Sequence, residues 1–319
     1  MALALVFPGQ GSQAPGMGRD LAAAFPVARQ TFEEVDEALK QKLSVLMFEG
    51  PADQLTLTAN AQPALMAHSL AVLRVLEQEG GFDLAGRVAL VAGHSLGEYS
   101  ALTAARAFDL GTAARLLRLR GEAMQKATPA GTGAMAALLG AELEQAQALC
   151  AAHATDPATG KAEVLEVAND NGGGQVVISG AKAAVDRAIA AAPAAGIKRA
   201  LPLPVSAPFH CALMAPAAEV MAEALERAPI AAPVVPVIAN VTAAKATDPA
   251  MIRDLLVAQV TATVRWRECV AAMAAMGCDR FAEIGAGKVL TGLMKRNAPD
   301  ATATAIGTPA EVEAFLKTL

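Results

Sequence analysis

The chain has 319 residues, 54% of them hydrophobic but only 3% aromatic, so Ala, Leu and Val must fill a sizeable core. A formal net charge of −5, without a long basic block, argues against a nucleic-acid partner. No apolar run reaches the ~18 residues that a membrane span needs, and the apolar start at Met1 lacks the basic segment of a secretory signal, so no membrane association and a cytoplasmic location are expected.

In chain order, residues 2–7 read as a strand that runs into the turn Pro8-Gly-Gln10-Gly-Ser-Gln13. Residues 18–40 and 61–79 read as helices, the second with Gln62-Pro63 at its start. Residues 88–92 form an apolar strand that ends in Gly93-His94-Ser95-Leu96-Gly97 and passes into another helix. Asp109-Leu-Gly111 opens a further helix that reaches about Ala127. This β/α alternation predicts a parallel sheet with helices on both sides.

At Pro129-Ala-Gly-Thr-Gly133 the rhythm changes to strand (134–139), helix (141–153), strand (162–168), strand (175–179), helix (181–194) and strand (198–204). That order, βαββαβ, predicts a ferredoxin-like insert, with residues 169–174 as the turn between its second and third strands. The α/β pattern then resumes with a short strand at 235–239, helices near 249–258 and 266–276, and a strand at 280–284. The expected architecture is a large α/β domain built from residues 1–130 and 205–319, with a small subdomain at 131–204. The four cysteines, Cys150, Cys211, Cys269 and Cys278, lack metal-ligand spacing, so reduced thiols and no metal are expected.

Strand, Gly-x-Ser-x-Gly and helix together form the nucleophile-elbow pattern, which names Ser95. A serine at neutral pH needs a base within hydrogen-bond reach. Of four histidines, His94 points elsewhere on the turn, His68 sits on an apolar helix face and His153 ends a helix. Elimination leaves His210, in a loop after the insert. No strand-end acid suits a triad, so a neutral acceptor such as a backbone carbonyl is the alternative support for that imidazole. At about 100° per residue, Arg120 falls within the apolar face shared by Ala113, Leu116, Leu117 and Met124. A guanidinium there needs a partner. Either a protein carboxylate meets it, or a pocket brings it the carboxylate of a substrate, gripped by two parallel hydrogen bonds. Leu96, next to the nucleophile, supplies one oxyanion donor in elbow proteins, and the 8–13 turn is a candidate for the second.

Phe7-Pro-Gly-Gln-Gly-Ser-Gln13, Gly93-His-Ser-Leu-Gly-Glu98, Arg120-Gly121, Gly131-Thr-Gly-Ala-Met135, Gly174-Gln-Val-Val-Ile-Ser-Gly180, Phe209-His210 and Glu283-Ile-Gly-Ala-Gly-Lys-Val-Leu290 occur in that order. Together they resemble the malonyl-CoA:acyl carrier protein transacylases over nearly the whole chain. The resemblance implies a hydrolase-like α/β domain with a ferredoxin-like insert, and ping-pong transfer of malonyl from the coenzyme A thioester to an acyl carrier protein. It also implies Ser95 as acylated nucleophile, His210 as base, Arg120 on the malonyl carboxylate, and the backbone amides of Gln10 and Leu96 as oxyanion hole. Gln259 corresponds to the residue whose carbonyl orients the histidine. Phe209 matches a bulky position associated with unbranched substrates, and Asn169 lies near the cleft. No cofactor and a monomer are implied. Lys198, Arg199, Lys295 and Arg296 are candidate docking residues for an acidic carrier protein. A serine hydrolase or thioesterase, a transacylase of a polyketide pathway, and a non-catalytic carrier-binding subunit are the rival readings.

Overall fold

The computed structural model describes residues 2–318. Its strands are β1 (Ala2–Phe7), β2 (Val88–Gly93), β3 (Gly133–Leu139), β4 (Leu165–Gly172), β5 (Gln175–Ala181), β6 (Arg199–Pro202), β7 (Val237–Ile238), β8 (Lys245–Ala246), β9 (Cys278–Ile284) and β10 (Thr302–Ile306). They form a six-stranded sheet of order β10-β9-β1-β2-β7-β8 and a four-stranded sheet of order β4-β5-β3-β6.

In the larger sheet every neighbouring pair is parallel except β7–β8. Its central strands are apolar on both faces because helices cover both sides. Along β1, Leu3, Leu5 and Phe7 join one core cluster, while Ala4 and Val6 join a second across the sheet. The register pairs Phe7 with Gly93, so β1 and β2 end side by side. The 8–13 turn and the Ser95 turn therefore emerge together at the carboxyl edge, where open α/β sheets bind their ligands.

The smaller sheet is antiparallel throughout, with the helices Leu143–His153 and Lys182–Ala191 completing the βαββαβ order. Its edge strand β4 is stitched to the rest of the molecule. Asp170 N–H donates to the Val264 carbonyl and Val264 N–H to that of Ala168, and Arg267 pairs with buried Asp170 at 2.8 Å.

Several elements differ from the sequence reading. The 18–40 segment is two helices, Arg19–Ala24 and Pro26–Leu39. Phe25 is extended because a residue preceding proline is pushed out of the helical region, and Pro26 then starts the second helix. The helix expected from residue 61 spans Thr58–Gln78, with Pro63 inside it. The Leu57 carbonyl takes the Asn60 and Ala61 N–H groups, so a turn closes upstream of the proline. β4 runs on through Gly172, so Asn169 and Asn171 are strand residues and the turn is shorter than 169–174. The edge strand β10 and the helices Leu43–Glu49, Ala215–Arg227, Val289–Asn297 and Pro309–Leu316 lie in stretches for which no element was predicted.

Candidate active site

Ser95 sits between β2 and the helix Gly97–Ala104 with a positive φ of 52°. That strained conformation is sustained by what surrounds it. A Cβ on Gly93 would overlap the backbone of Gly97, and one on Gly97 would strike the Phe7 carbonyl. Asn240, two residues beyond the neighbouring strand β7, clamps the turn. Its Oδ1 accepts the Ser95 N–H at 2.8 Å and its Nδ2 donates to the Gly93 carbonyl at 2.7 Å.

The hydroxyl of Ser95 lies 2.7 Å from His210 Nε2, and His210 Nδ1 lies 2.9 Å from the Gln259 carbonyl. A carbonyl only accepts, so Nδ1 carries the proton and Nε2 is free to take one from serine. Burial, reinforced by the nearby Arg120 charge, pushes the His210 pKa down to about 3. The imidazole is therefore neutral at physiological pH, with Nε2 unprotonated and free to accept. The other histidines are committed elsewhere. His94 Nε2 meets Asn171 Oδ1 at 2.8 Å, His68 Nε2 meets the Gly307 carbonyl at 2.9 Å, and His153 closes its helix.

Arg120 reaches the same place from the helix Leu110–Lys126. Gly121 lets that helix approach the backbone of Thr58 and Ala59, where a Cβ would come within 2.6 Å. The guanidinium is 1% exposed. It donates to Gln62 Oε1 at 2.8 Å, to Gln259 Oε1 at 2.9 Å and to Ser95 Oγ at 3.3 Å. All three acceptors are neutral, and its Nε has no partner among the described residues. Of the two possibilities left by the sequence, a protein carboxylate in contact with Arg120 is the one not found among the described residues. The nearby buried carboxyl, Glu98, instead accepts from Asn240 N–H at 3.0 Å and Gln259 Nε2 at 2.7 Å. Burial raises its pKa to about 7, against the lowering effect of those two bonds and of Arg120.

These groups open into a cavity of about 380 Å³, lined also by Gln10, Leu96, Asn169 and Phe209. Neither Gln10 N–H nor Leu96 N–H is engaged by another group among the described residues. The Gln10 side chain is engaged, accepting from Thr58 Oγ1 at 2.9 Å. Asn169 Oδ1 is buried and unpartnered. Thus every site residue named from the sequence falls on this cavity or directly behind it. Lys198, Arg199, Lys295 and Arg296 lie outside it, exposed on the surface. Sequence reasoning missed Gln62, Asn240 and the contacts of Glu98. The only available signal was an amide or carboxyl within otherwise apolar, buried sequence. Among the described residues no cluster of His, Cys, Asp and Glu could hold a metal, and no helix is long and apolar enough to cross a membrane.

A serine activated by a neutral histidine, beside two free amide donors and an unneutralised cation, is the apparatus of an enzyme that carries acyl groups on serine. The sequence profile of the acyl transferase domain matches residues 4–315. The malonyl CoA-acyl carrier protein transacylase of Escherichia coli K12 is 47% identical over 314 residues, 98% of each chain. The acyl-carrier-protein-S-malonyltransferase of Bartonella henselae superposes with a TM-score of 0.95 at 53% identity, covering 100% of this chain and 99% of the other. A malonyl-transacylase solved in complex with a type II PKS acyl-carrier protein gives 0.94 at 44% identity, with full coverage of both chains. The chain belongs to the malonyl CoA-acyl carrier protein transacylase family.

Proposed function

We propose that this enzyme moves malonyl from malonyl-CoA to the phosphopantetheine thiol of an acyl carrier protein in cytoplasmic fatty-acid synthesis, as a monomer and without a cofactor. The observation that carries the malonyl specificity is Arg120, buried among neutral acceptors 3.3 Å from the serine oxygen. His210 takes the Ser95 proton as the hydroxyl attacks the thioester carbonyl. The Gln10 and Leu96 amides hold the oxyanion. The same imidazole returns the proton to the departing coenzyme A thiol. The carrier thiol then repeats these steps in reverse, giving up its proton to His210 as it attacks. Arg120 grips the malonyl carboxylate throughout, and the Gln259 carbonyl keeps the imidazole in its productive tautomer.

Phe209, 8% exposed on the cavity wall, is suited to disfavour a branched acyl chain, and Asn169 lines the cavity as a polar wall for the incoming substrate. The division into domains at 1–130 with 205–319 and at 131–204 follows the two sheets. Two of the four basic candidates, Arg296 and Lys198, lie beside the β4–β5 turn. Arg296 donates to the Gly173 carbonyl at 3.3 Å, and the Lys198 stem packs on Gly140, whose N–H bonds Gly174. Lys295 and Arg199 are their chain neighbours, so together they form one rim suited to an acidic carrier.

Mass spectrometry after incubation with malonyl-CoA should show one malonyl adduct on the wild type and none on Ser95→Ala. An adduct on the variant would remove Ser95 from its role. Release of the acyl group to water, at the same rate with and without carrier protein, would favour the hydrolase reading. Fatty-acid and polyketide carriers offered separately distinguish the two pathways.

A further inference from the structure

We propose that Glu98 is a positioning residue for the carboxylate clamp, fixing the Gln259 carboxamide so that Arg120 stays aimed at Ser95. The proposal rests on the malonyl-transfer reading above and assigns a task to a group that reading leaves idle. Glu98 is 3% exposed, on the helix Gly97–Ala104, three residues beyond the nucleophile. Its Oε2 accepts from Gln259 Nε2 at 2.7 Å. On the far side of the same amide, Gln259 Oε1 accepts from Arg120 Nη2 at 2.9 Å.

Glu98 Oε2 accepts from both Gln259 Nε2 and Asn240 N–H, and a guanidinium only donates. Between them an amide has one workable orientation. Turned over, it would set NH2 against the cation and oxygen against the accepting oxygen. Without an acceptor at Glu98, that orientation loses one of its two anchors. Asn240 closes the circuit. Its backbone N–H donates to Glu98 Oε2 at 3.0 Å, and its Oδ1 accepts both the Ser95 N–H and Gln259 Nε2. The nucleophile and the clamp are thus referred to one carboxyl. Burying that carboxyl away from any contacting cation is unfavourable, which a merely space-filling residue would not require.

The test measures kcat/KM for malonyl and acetyl thioesters, together with Tm, in three variants. Glu98→Leu removes the acceptor. The malonyl-over-acetyl ratio should fall about tenfold, the loss expected for a hydrogen bond to a charged group, with malonyl KM rising. Glu98→Gln keeps an oxygen for Gln259 and Asn240 and should hold the wild-type ratio. If the Leu variant does not fold, Glu98→Asp replaces it, retaining the charge but not the reach, and the ratio should again fall. A folded Leu or Asp variant with an unchanged ratio overturns the proposal, because a structural role would scale both substrates alike. A Gln variant as impaired as Leu overturns it too, because charge rather than position would then be at work. A wild-type enzyme that forms no malonyl-Ser95 would defeat the underlying reading instead, and is detected before any variant is made.

Discussion

Ser95 and Arg120 are held in the same cavity by opposite means. The serine is fixed chiefly by its immediate chain: a strand, two glycines and a helix force the turn, with Asn240 and Gln259 bonding its backbone from afar. The arginine stands on an ordinary stretch of helix and is aimed by side chains 58 and 139 residues away. A nucleophile can be encoded in five consecutive residues because it needs only one backbone conformation. A substrate clamp depends on groups that meet only after the chain has folded.

The largest expected effect breaks the local half. Gly93→Ala would place a methyl in the Gly97 backbone, where no side-chain rotation relieves it. A loss above about 4 kcal/mol is expected from such a clash, read as a collapse of the urea midpoint or of soluble yield. Arg120→Ala breaks the distant half and leaves the elbow intact. The malonyl-over-acetyl ratio in kcat/KM should drop about 100-fold, as for truncating one partner of a buried charge pair, while Ser95 still takes up acetyl. An unchanged ratio would detach the clamp from the cavity.

The smallest effect sharpens the contrast through pH. His210 stays neutral down to about pH 3, so acylation of Ser95 should show no inflection at the ordinary histidine value of 6.5. Stability behaves otherwise. His68, His94 and His210 all have pKa values lowered by burial, so the unfolded chain binds more protons than the folded one below pH 6.5. Their contribution is complete above that value and is lost as pH falls through it. Glu98, raised to about 7 from 4.5, works in the opposite sense, binding its proton in the folded state first. Three imidazoles outweigh one carboxyl, so calorimetry should find Tm falling between pH 7 and pH 5.

The same division explains what could be read from the sequence. The elbow, the parallel sheet and the βαββαβ order follow from periodicity and glycine placement, which act over a few residues. Arg120 was visible because a cation interrupted an apolar face, and His210 because only four histidines were available. Leu96 followed from its place after the nucleophile, whereas Gln259 and the choice of Gln10 within the 8–13 turn came from family resemblance, since a backbone amide or carbonyl leaves no trace in side-chain chemistry. Gln62 escaped because it was read only as part of the helix start beside Pro63. The turn that closes at Leu57 sets Thr58 and Gln62 one turn apart, where Gln62 Nε2 donates to Thr58 Oγ1 at 2.9 Å. Asn240 follows a two-residue strand, too short to impose a pattern.

Both amides that brace the guanidinium, Gln62 and Gln259, differ from glutamate by a single nitrogen. Deamidation or a one-base change at either position would give the cation an anion of its own and seal the cleft against incoming acids. On the clamp role proposed for Arg120, the cation's readiness for an acid thus rests on two neighbouring amides that carry no charge.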